Sequence, residues 1–273
     1  MGHNGSTILN LALSMSSDVI ATSQLGDLLN PYDPRKSEDD IDDLWSDMLS
    51  SLSRETVDKI ENLGPLIRQE RQILRLLISR KTRKSYAAMS EKIIEEITRR
   101  YAPRIIVDSS KNISRAIALT ECENAEVYII HLVRDVRRLV NSYNKRRAEK
   151  GLRLVYLGPT IWWFLKNLSG SLLVPRFAKH YRSIRYEDMV CDPDTVVDTL
   201  EDFLGESLTQ TRMALRGEIN IESRNDIGFS GNRVMQQENR RFRAGNLKEE
   251  GVFRSNLYFY TLGWLGGFWG YKK

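Results

Sequence analysis

Four short segments carry residue types that bind and transfer phosphorylated groups. The first, Gly2-His3-Asn4-Gly5-Ser6-Thr7, precedes an apolar helical run from Ile8 to Met15. Small residues there expose consecutive backbone N–H groups, and the helix dipole adds positive potential, so the segment can cradle a phosphate. It lacks the lysine of the G-x-x-x-x-G-K-[ST] nucleotide loop, because Ser6-Thr7 follows Gly5 directly. That disfavours a magnesium-dependent NTPase or a small-molecule kinase. The plainer reading of the same residues is a helix N-cap.

The second segment, Asp108-Ser109-Ser110-Lys111, sets a carboxylate, two hydroxyls and an ammonium directly after a β-branched run. Ser109 or Ser110 as a cap for the next helix is the alternative. A lysine in a first helical turn opposes the dipole unless an anion sits there. Asp108 is read as ordering the turn rather than as a base. The third segment is His131-Leu132-Val133-Arg134-Asp135, with Ser142 eight residues beyond Arg134. An arginine at a strand end and a hydroxyl two turns along the following helix can grip one phosphate from two sides. The surrounding Arg137, Arg138, Lys145, Arg146, Arg147 and Lys150 read as a solvated helix face. The fourth is Arg185-Tyr186-Glu187-Asp188, where Tyr186 could stack on a base while the acids hold loops by accepting backbone N–H bonds.

These segments need a scaffold that brings them together. Arg104–Val107, Val127–Val133 and the weaker 182–186 read as strands, separated by helical patterns at 111–121, 134–150 and 159–180. Strands alternating with helices predict parallel βαβ units in an α/β domain. The near-continuous apolar character of the second strand predicts burial on both faces. In such sheets ligands bind beyond the carboxyl ends of the strands, where all the motifs after 104 fall. Residues 1–30 read as a Gly-containing loop and an apolar helix. Residues 31–103 read as a helical insertion that opens on the acidic run EDDIDDLWSD, and Pro193 begins a helix ending in Phe203-Leu204-Gly205.

The 273 residues are 41% hydrophobic and 28% charged, which gives enough apolar content for a core and excludes wholesale disorder. No run of eighteen or more uncharged apolar residues occurs, which excludes a conventional membrane-spanning helix. A secretory signal is not visible, so the expectation is a cytoplasmic protein. Cys122 and Cys191 are too few for a disulfide framework or a cysteine-rich zinc site. Lys and Arg number 41 against 36 Asp and Glu, and the resulting +5 favours an anionic partner without naming it. No metal-ligand cluster is apparent: His3, His131 and His180 are isolated in sequence, and His131 reads as a satisfied core residue.

Taken in order, a small-residue loop, D-S-S-K, R-D with a serine eight on, and Y-E-D followed by D-P and F-L-G resemble the sulfotransferases that use 3′-phosphoadenosine-5′-phosphosulfate (PAPS). The likeness is strongest to bacterial members with a G-H-x-G-S-T loop. It runs over nearly the whole chain and is thin across 31–103. It implies a P-loop-like three-layer sandwich with a central parallel sheet, one domain spanning 1–273, and 31–103 as a helical insertion capping the acceptor. It also implies roles. His3, Asn4, Gly5, Ser6 and Thr7 would bind the 5′-phosphosulfate. Arg134 and Ser142 would bind the 3′-phosphate, and Gly231-Asn232-Arg233 would complete that site. Tyr186 would lie near adenine, Lys111 and His3 would stabilise the transferring group, and Asp27 would be the general base.

Three departures from the family pattern stand out. His3 replaces the usual Arg or Lys of the loop. Asp27 replaces the usual Glu. The strand expected ahead of the loop is absent, so the sheet is expected to lack its first strand. The implied co-substrate is PAPS with no metal, and the implied partner is a small-molecule, carbohydrate or peptide acceptor rather than nucleic acid. Trp45, Tyr86, Trp162 and Trp163 are candidate walls for it, against a core role for the same rings. Two other readings stay open. One is a non-catalytic PAP- or anion-binding protein. The other is a peripheral membrane protein using the basic helix 134–153 and the aromatic tail 257–271.

Overall fold

The computed structural model describes residues 5–22, 25, 50–56, 58, 77–221 and 266–271. These form a mixed α/β fold with small parallel sheets. Helix α1 (Ser6–Leu13) leads to strand β1 (Val19–Ala21). Helix α2 (Arg80–Tyr101) leads to β2 (Ile105–Val107), and α3 (Ile113–Leu119) to β3 (Tyr128–Val133). Helices α4 (Val136–Glu149) and α5 (Leu157–Leu173) lead to β4 (His180–Arg185). Helices α6 (Tyr186–Cys191), α7 (Pro193–Leu204) and α8 (Thr209–Leu215) follow, and a 3-10 turn covers Gly267–Trp269.

The strands form two parallel pairs. Val19 to Ala21 register with Ile105 to Val107, and Tyr128 to Val133 register with His180 to Arg185. Thr22 extends the first pair by donating its backbone N–H to Val107 O at 2.9 Å. Successive strand residues point to opposite faces. Leu132 accordingly joins a core built from α1, α6, α7 and α8, while Val133 joins another built from α4 and α5 around Trp163. Helices therefore cover both faces of the β3–β4 pair.

Local chemistry explains the boundaries. Asp135 starts α4 by accepting the Arg137 N–H at 2.8 Å, and Asp192 starts α7 ahead of Pro193 by accepting the Thr195 N–H at 3.2 Å. Gly205 ends α7 in the left-handed region, φ 71°. Within α1, Leu9, Leu11, Ala12 and Leu13 are buried, and this stripe fixes the helix on the sheet.

Three expectations are corrected. The 1–30 stretch contains β1 as well as a helix; three residues show no periodicity to read. β3 is not buried along its length: Tyr128 to His131 are half-buried and only Leu132 and Val133 are buried. The cap of α3 is Asn112, which accepts the Arg115 N–H at 3.1 Å, rather than Ser109 or Ser110, so Lys111 lies ahead of the helix and not in its first turn. Among the described residues of 31–103 the long element is α2. No described helix is long and apolar enough to cross a membrane.

Candidate functional site at the carboxyl ends of the strands

Gly5 begins α1 with φ 90° and ψ −1°, and no side chain caps the helix. First-turn amides of a helix start without intrahelical acceptors, which is the property an anion uses. The glycine is required twice over. Its φ lies where side chains are strained, and a Cβ would stand 2.1 Å from Tyr186 Cδ2 and 2.4 Å from Cε2. Tyr186 opens α6 directly after β4, so its ring presses the start of α1 against the carboxyl end of the β3–β4 pair. The Arg134 guanidinium lies over the same ring, 4.5 Å from its centroid. Gly5, Tyr186 and Arg134 thus form one stack.

Arg134 is held from behind as well. Its carbonyl accepts the Trp163 Nε1–H at 2.9 Å, and Trp163 is 1% exposed. Next to it, Asp135 donates its backbone N–H to Glu187 Oε1 at 3.1 Å. Tyr271 OH donates to Glu187 Oε2 at 2.8 Å and lies 3.0 Å from Val133 O. Burial raises the Glu187 carboxyl above the ordinary carboxylate range, against the lowering effect of the bonds from Tyr271 and the Asp135 N–H. Burial, reinforced by the Glu187 charge, pushes the Tyr271 phenol well up. Glu187 therefore works as a loop fastener, the plainer of the readings available to it, while Asp188 pairs with Arg185 at 2.6 Å.

On the other pair, Asp108 follows β2. Its Oδ1 accepts the Ser110 N–H at 2.9 Å and also the Ser110 hydroxyl, and its Oδ2 accepts Arg115 Nε at 2.6 Å. Arg115 is 2% exposed and donates further to Tyr86 OH at 2.5 Å and Ser90 Oγ at 3.3 Å. Burial raises the Tyr86 phenol, an effect Arg115 opposes. Asp108 is engaged as the anchor of the turn. The backbone this anchor fixes is unusual: Lys111 has φ 56°, left-handed for a residue with a side chain. Such a conformation costs about 1–3 kcal/mol and persists only where its surroundings enforce it.

A cavity of about 730 Å³ lies between the two strand pairs. Ser6, Ser109, Ser110, Lys111 and Arg134 border it at the carboxyl ends of the strands. The structure thus brings Ser6, Lys111 and Arg134 around one opening, with Gly5 and Tyr186 bracing them. Thr7 lies in α1 beside Ser6, and Ser142 lies half-buried on α4; neither borders the cavity. His3, Asn4, Asp27, Gly231, Asn232 and Arg233 lie outside the described residues, as does Trp45.

One candidate acceptor wall is corrected: Tyr86 is 1% exposed, bonded to Arg115 and outside the cavity lining, so it is core. Trp163 is equally buried and bonded to Arg134 O, yet borders the cavity, while Trp162 is exposed and does not. His131 has both ring nitrogens engaged, by Tyr181 OH at 2.7 Å and Asn167 Oδ1 at 3.0 Å. Burial lowers its pKa, partly offset by the Asn167 bond, which suits a neutral structural imidazole. The tail residues 266–271 pack on the fold, with Trp269 Nε1 donating to Ser171 Oγ at 2.9 Å. Among the described residues no group of three or more His, Cys, Asp or Glu could hold a metal ion.

Sequence reasoning missed Arg115 and Tyr271. Their bonds to Tyr86 and Glu187 span 29 and 84 residues, beyond the reach of a local pattern. Comparison of the chain with family models, curated proteins and solved structures finds no match.

Proposed function

We propose that the chain is a sulfotransferase that moves a sulfuryl group from PAPS to a hydroxyl or amine of an acceptor. The observation that carries this reading is the convergence of Ser6, Lys111 and Arg134 on one opening beyond the carboxyl ends of parallel strands. Sequence motifs separated by more than a hundred residues meet there. That is where ligands bind in parallel α/β sheets. The reading carries with it a P-loop-like sandwich around a central parallel sheet.

The chemistry asks little of covalent machinery. The acceptor oxygen or nitrogen attacks sulfur, a bond to sulfur forms, and the bond from sulfur to the 5′-phosphate oxygen breaks. The acceptor proton passes to a carboxylate, assigned to Asp27, and 3′-phosphoadenosine 5′-phosphate (PAP) leaves. Negative charge grows on the leaving phosphate, so catalysis depends on in-line positioning and a preset positive field. The first-turn amides of α1, His3 and Lys111 would supply that field. The strained Lys111 backbone fits a group held in position before substrate arrives. Arg134 and Ser142 would hold the 3′-phosphate. The stack on Tyr186 aims the guanidinium by one face, and a planar guanidinium suits bidentate phosphate contact.

Calorimetry with PAP tests the assignment. Arg134→Ala should abolish binding while circular dichroism and melting stay near wild type; undiminished affinity overturns the cofactor assignment. Lys111→Ala should depress turnover more than PAP affinity, and equal losses argue against a transition-state role. PAP binding with no turnover of PAPS across phenol, sugar, peptide-tyrosine and amine acceptors would replace this reading with that of a binding protein.

A further inference from the structure

Helix α5 carries apolar residues on two opposite sides, and the fold covers one of them. Its 17 residues include a single charge, Lys166. Thr160, Trp163 and Gly170 are buried on the inner side. At 3.6 residues per turn, Leu157, Ile161, Leu165 and Leu172 fall within about 80° of arc on roughly the opposite side, and Trp162 stands about 60° beyond them. These five side chains are 46–60% exposed. Single exposed apolar residues are commonplace, whereas a contiguous stripe of them marks an interaction surface. Phe268 adds an exposed ring from the turn that Trp269 fastens to α5, its Nε1 bonded to Ser171 Oγ and its ring 5.0 Å from that of Trp163. Leu152 and Leu154, in the loop before α5, are exposed as well.

The charge around this stripe has one sign. From Val136 to Lys179, ten Lys and Arg stand against a single acid, Glu149. Lys145, Arg146, Lys150 and Arg153 are exposed at the end of α4 and in the loop that leads to α5, and Arg176 is exposed just beyond α5. The occupant must therefore be apolar at the stripe and anionic around it. A second copy of the chain would set one strongly basic surface against another, which like-charge repulsion opposes. The stripe does not border the cavity between the strand pairs; its side chains stand out from the helix. A protein partner has to match such a surface in shape, whereas a bilayer yields to it. Trp162 and Phe268 suit the boundary between headgroups and acyl chains.

We propose that this face of α5 docks the protein on a bilayer bearing anionic lipids. The helix is about 25 Å long and lies along the membrane plane, because its inner side is held to the fold through Trp163. Leu157, Ile161, Leu165 and Leu172 enter the acyl boundary, and the exposed basic side chains at either end of α5 meet the headgroups. The surface differs from the aromatic tail read from sequence, since Trp269 and Tyr271 bond to the fold. It uses none of the residues assigned to PAPS, so it stands apart from the sulfotransferase reading.

The test is flotation of the full chain with vesicles of phosphatidylcholine alone and of phosphatidylcholine with about 30% phosphatidylserine. Binding to the anionic vesicles should be stronger by at least about tenfold, and should weaken as NaCl rises from about 0.1 to 0.5 M. Two triple variants at exposed positions divide the contributions: Leu157→Gln with Ile161→Gln and Leu165→Gln, and Lys145→Gln with Arg146→Gln and Lys150→Gln. Each should weaken binding by at least about tenfold, with melting near wild type. Brominated acyl chains should quench tryptophan emission, and Trp162→Phe should remove most of that quenching. Absence of binding to anionic vesicles overturns the proposal, and so does equal binding to both compositions. Full binding by the apolar triple variant, or quenching unchanged in Trp162→Phe, also overturns it by moving the contact to another surface. A dimer in sedimentation equilibrium that the apolar variant abolishes, without vesicle binding by the wild type, would replace the membrane with a second copy of the chain.

Discussion

Gly5→Ala is the sharpest probe of the site because two independent penalties meet at one atom. A Cβ at residue 5 would stand 2.1 Å from Tyr186 Cδ2. To restore a carbon–carbon contact of about 3.5 Å the ring must retreat by about 1.4 Å. That retreat disturbs the Arg134 guanidinium, now 4.5 Å from the ring centroid. A cation over an aromatic face is worth about 0.5–2 kcal/mol. The positive φ of 90° adds roughly 1–2 kcal/mol for any residue with a side chain. Together these predict a loss of about 1.5–4 kcal/mol. At about 2–4 °C per kcal/mol for a domain of this size class, melting should fall by roughly 3–16 °C. A double-mutant cycle with Tyr186→Ala isolates the collision. With the ring gone, Gly5→Ala keeps only its backbone cost, so the two substitutions should be non-additive by about 1 kcal/mol or more. Urea unfolding of the four proteins gives the energies, and PAP calorimetry gives the effect on binding. Additivity within about 0.5 kcal/mol would refute the stacked arrangement of Gly5, Tyr186 and Arg134.

Other outcomes follow from the same geometry. Asp108→Ala strands the buried Arg115 charge and should cost about 3–5 kcal/mol in urea unfolding. Replacing both residues, Asp108→Ala with Arg115→Met, should cost clearly less than the sum of the single changes; additivity would deny the pair. His131 is held neutral with its pKa lowered, so the unfolded state binds the extra proton as pH falls. Stability from this group is present above the unfolded value of about 6.5 and is lost as pH drops toward the folded value, and His131→Gln should flatten that part of the pH–stability curve. Glu187 has the opposite sense: its raised pKa means that ionisation of the buried carboxyl weakens the fold as pH rises through the folded value. In Glu187→Gln that decline should disappear from urea midpoints taken between pH 4 and 7, and an unchanged slope would remove the assignment. The Cys122 thiol, pushed up to about 12 by burial, should react with alkylating agents far more slowly than exposed Cys191 at pH 8 in mass-spectrometric labelling.

The strands and helices that carry the motifs were legible because their signals are local. The apolar run at 128–133 is a strand, Arg134-Asp135 stands at its end, and Pro193 and Gly205 bracket α7 as their backbone preferences require. The small-residue loop does open a helix. What could not be read has non-local or unusual causes. β1 is three residues long and acquires its identity only by pairing with β2 across more than eighty residues. Lys111 adopts a conformation normally signalled by glycine, so nothing in its identity announces it. Tyr86 has the same sequence signature whether it walls a pocket or fills a core, and its long-range bond from Arg115 decides it. The half-burial of β3 is not foretold by its apolar sequence, which reads alike at the middle and the edge of a sheet.

The contacts at residues 186 and 187 also bear on the order of assembly in the cell. Gly5 leans on one of them and Tyr271 bonds to the other, so the earliest and latest described segments fasten to adjacent positions. A chain leaving the ribosome at about 5–20 residues per second can form its N-terminal helices early. The support behind Asp135 and Val133 arrives only when residue 271 has emerged. This corner of the fold therefore matures last. Products of premature termination that fold through α8 would retain a core yet lack a finished corner.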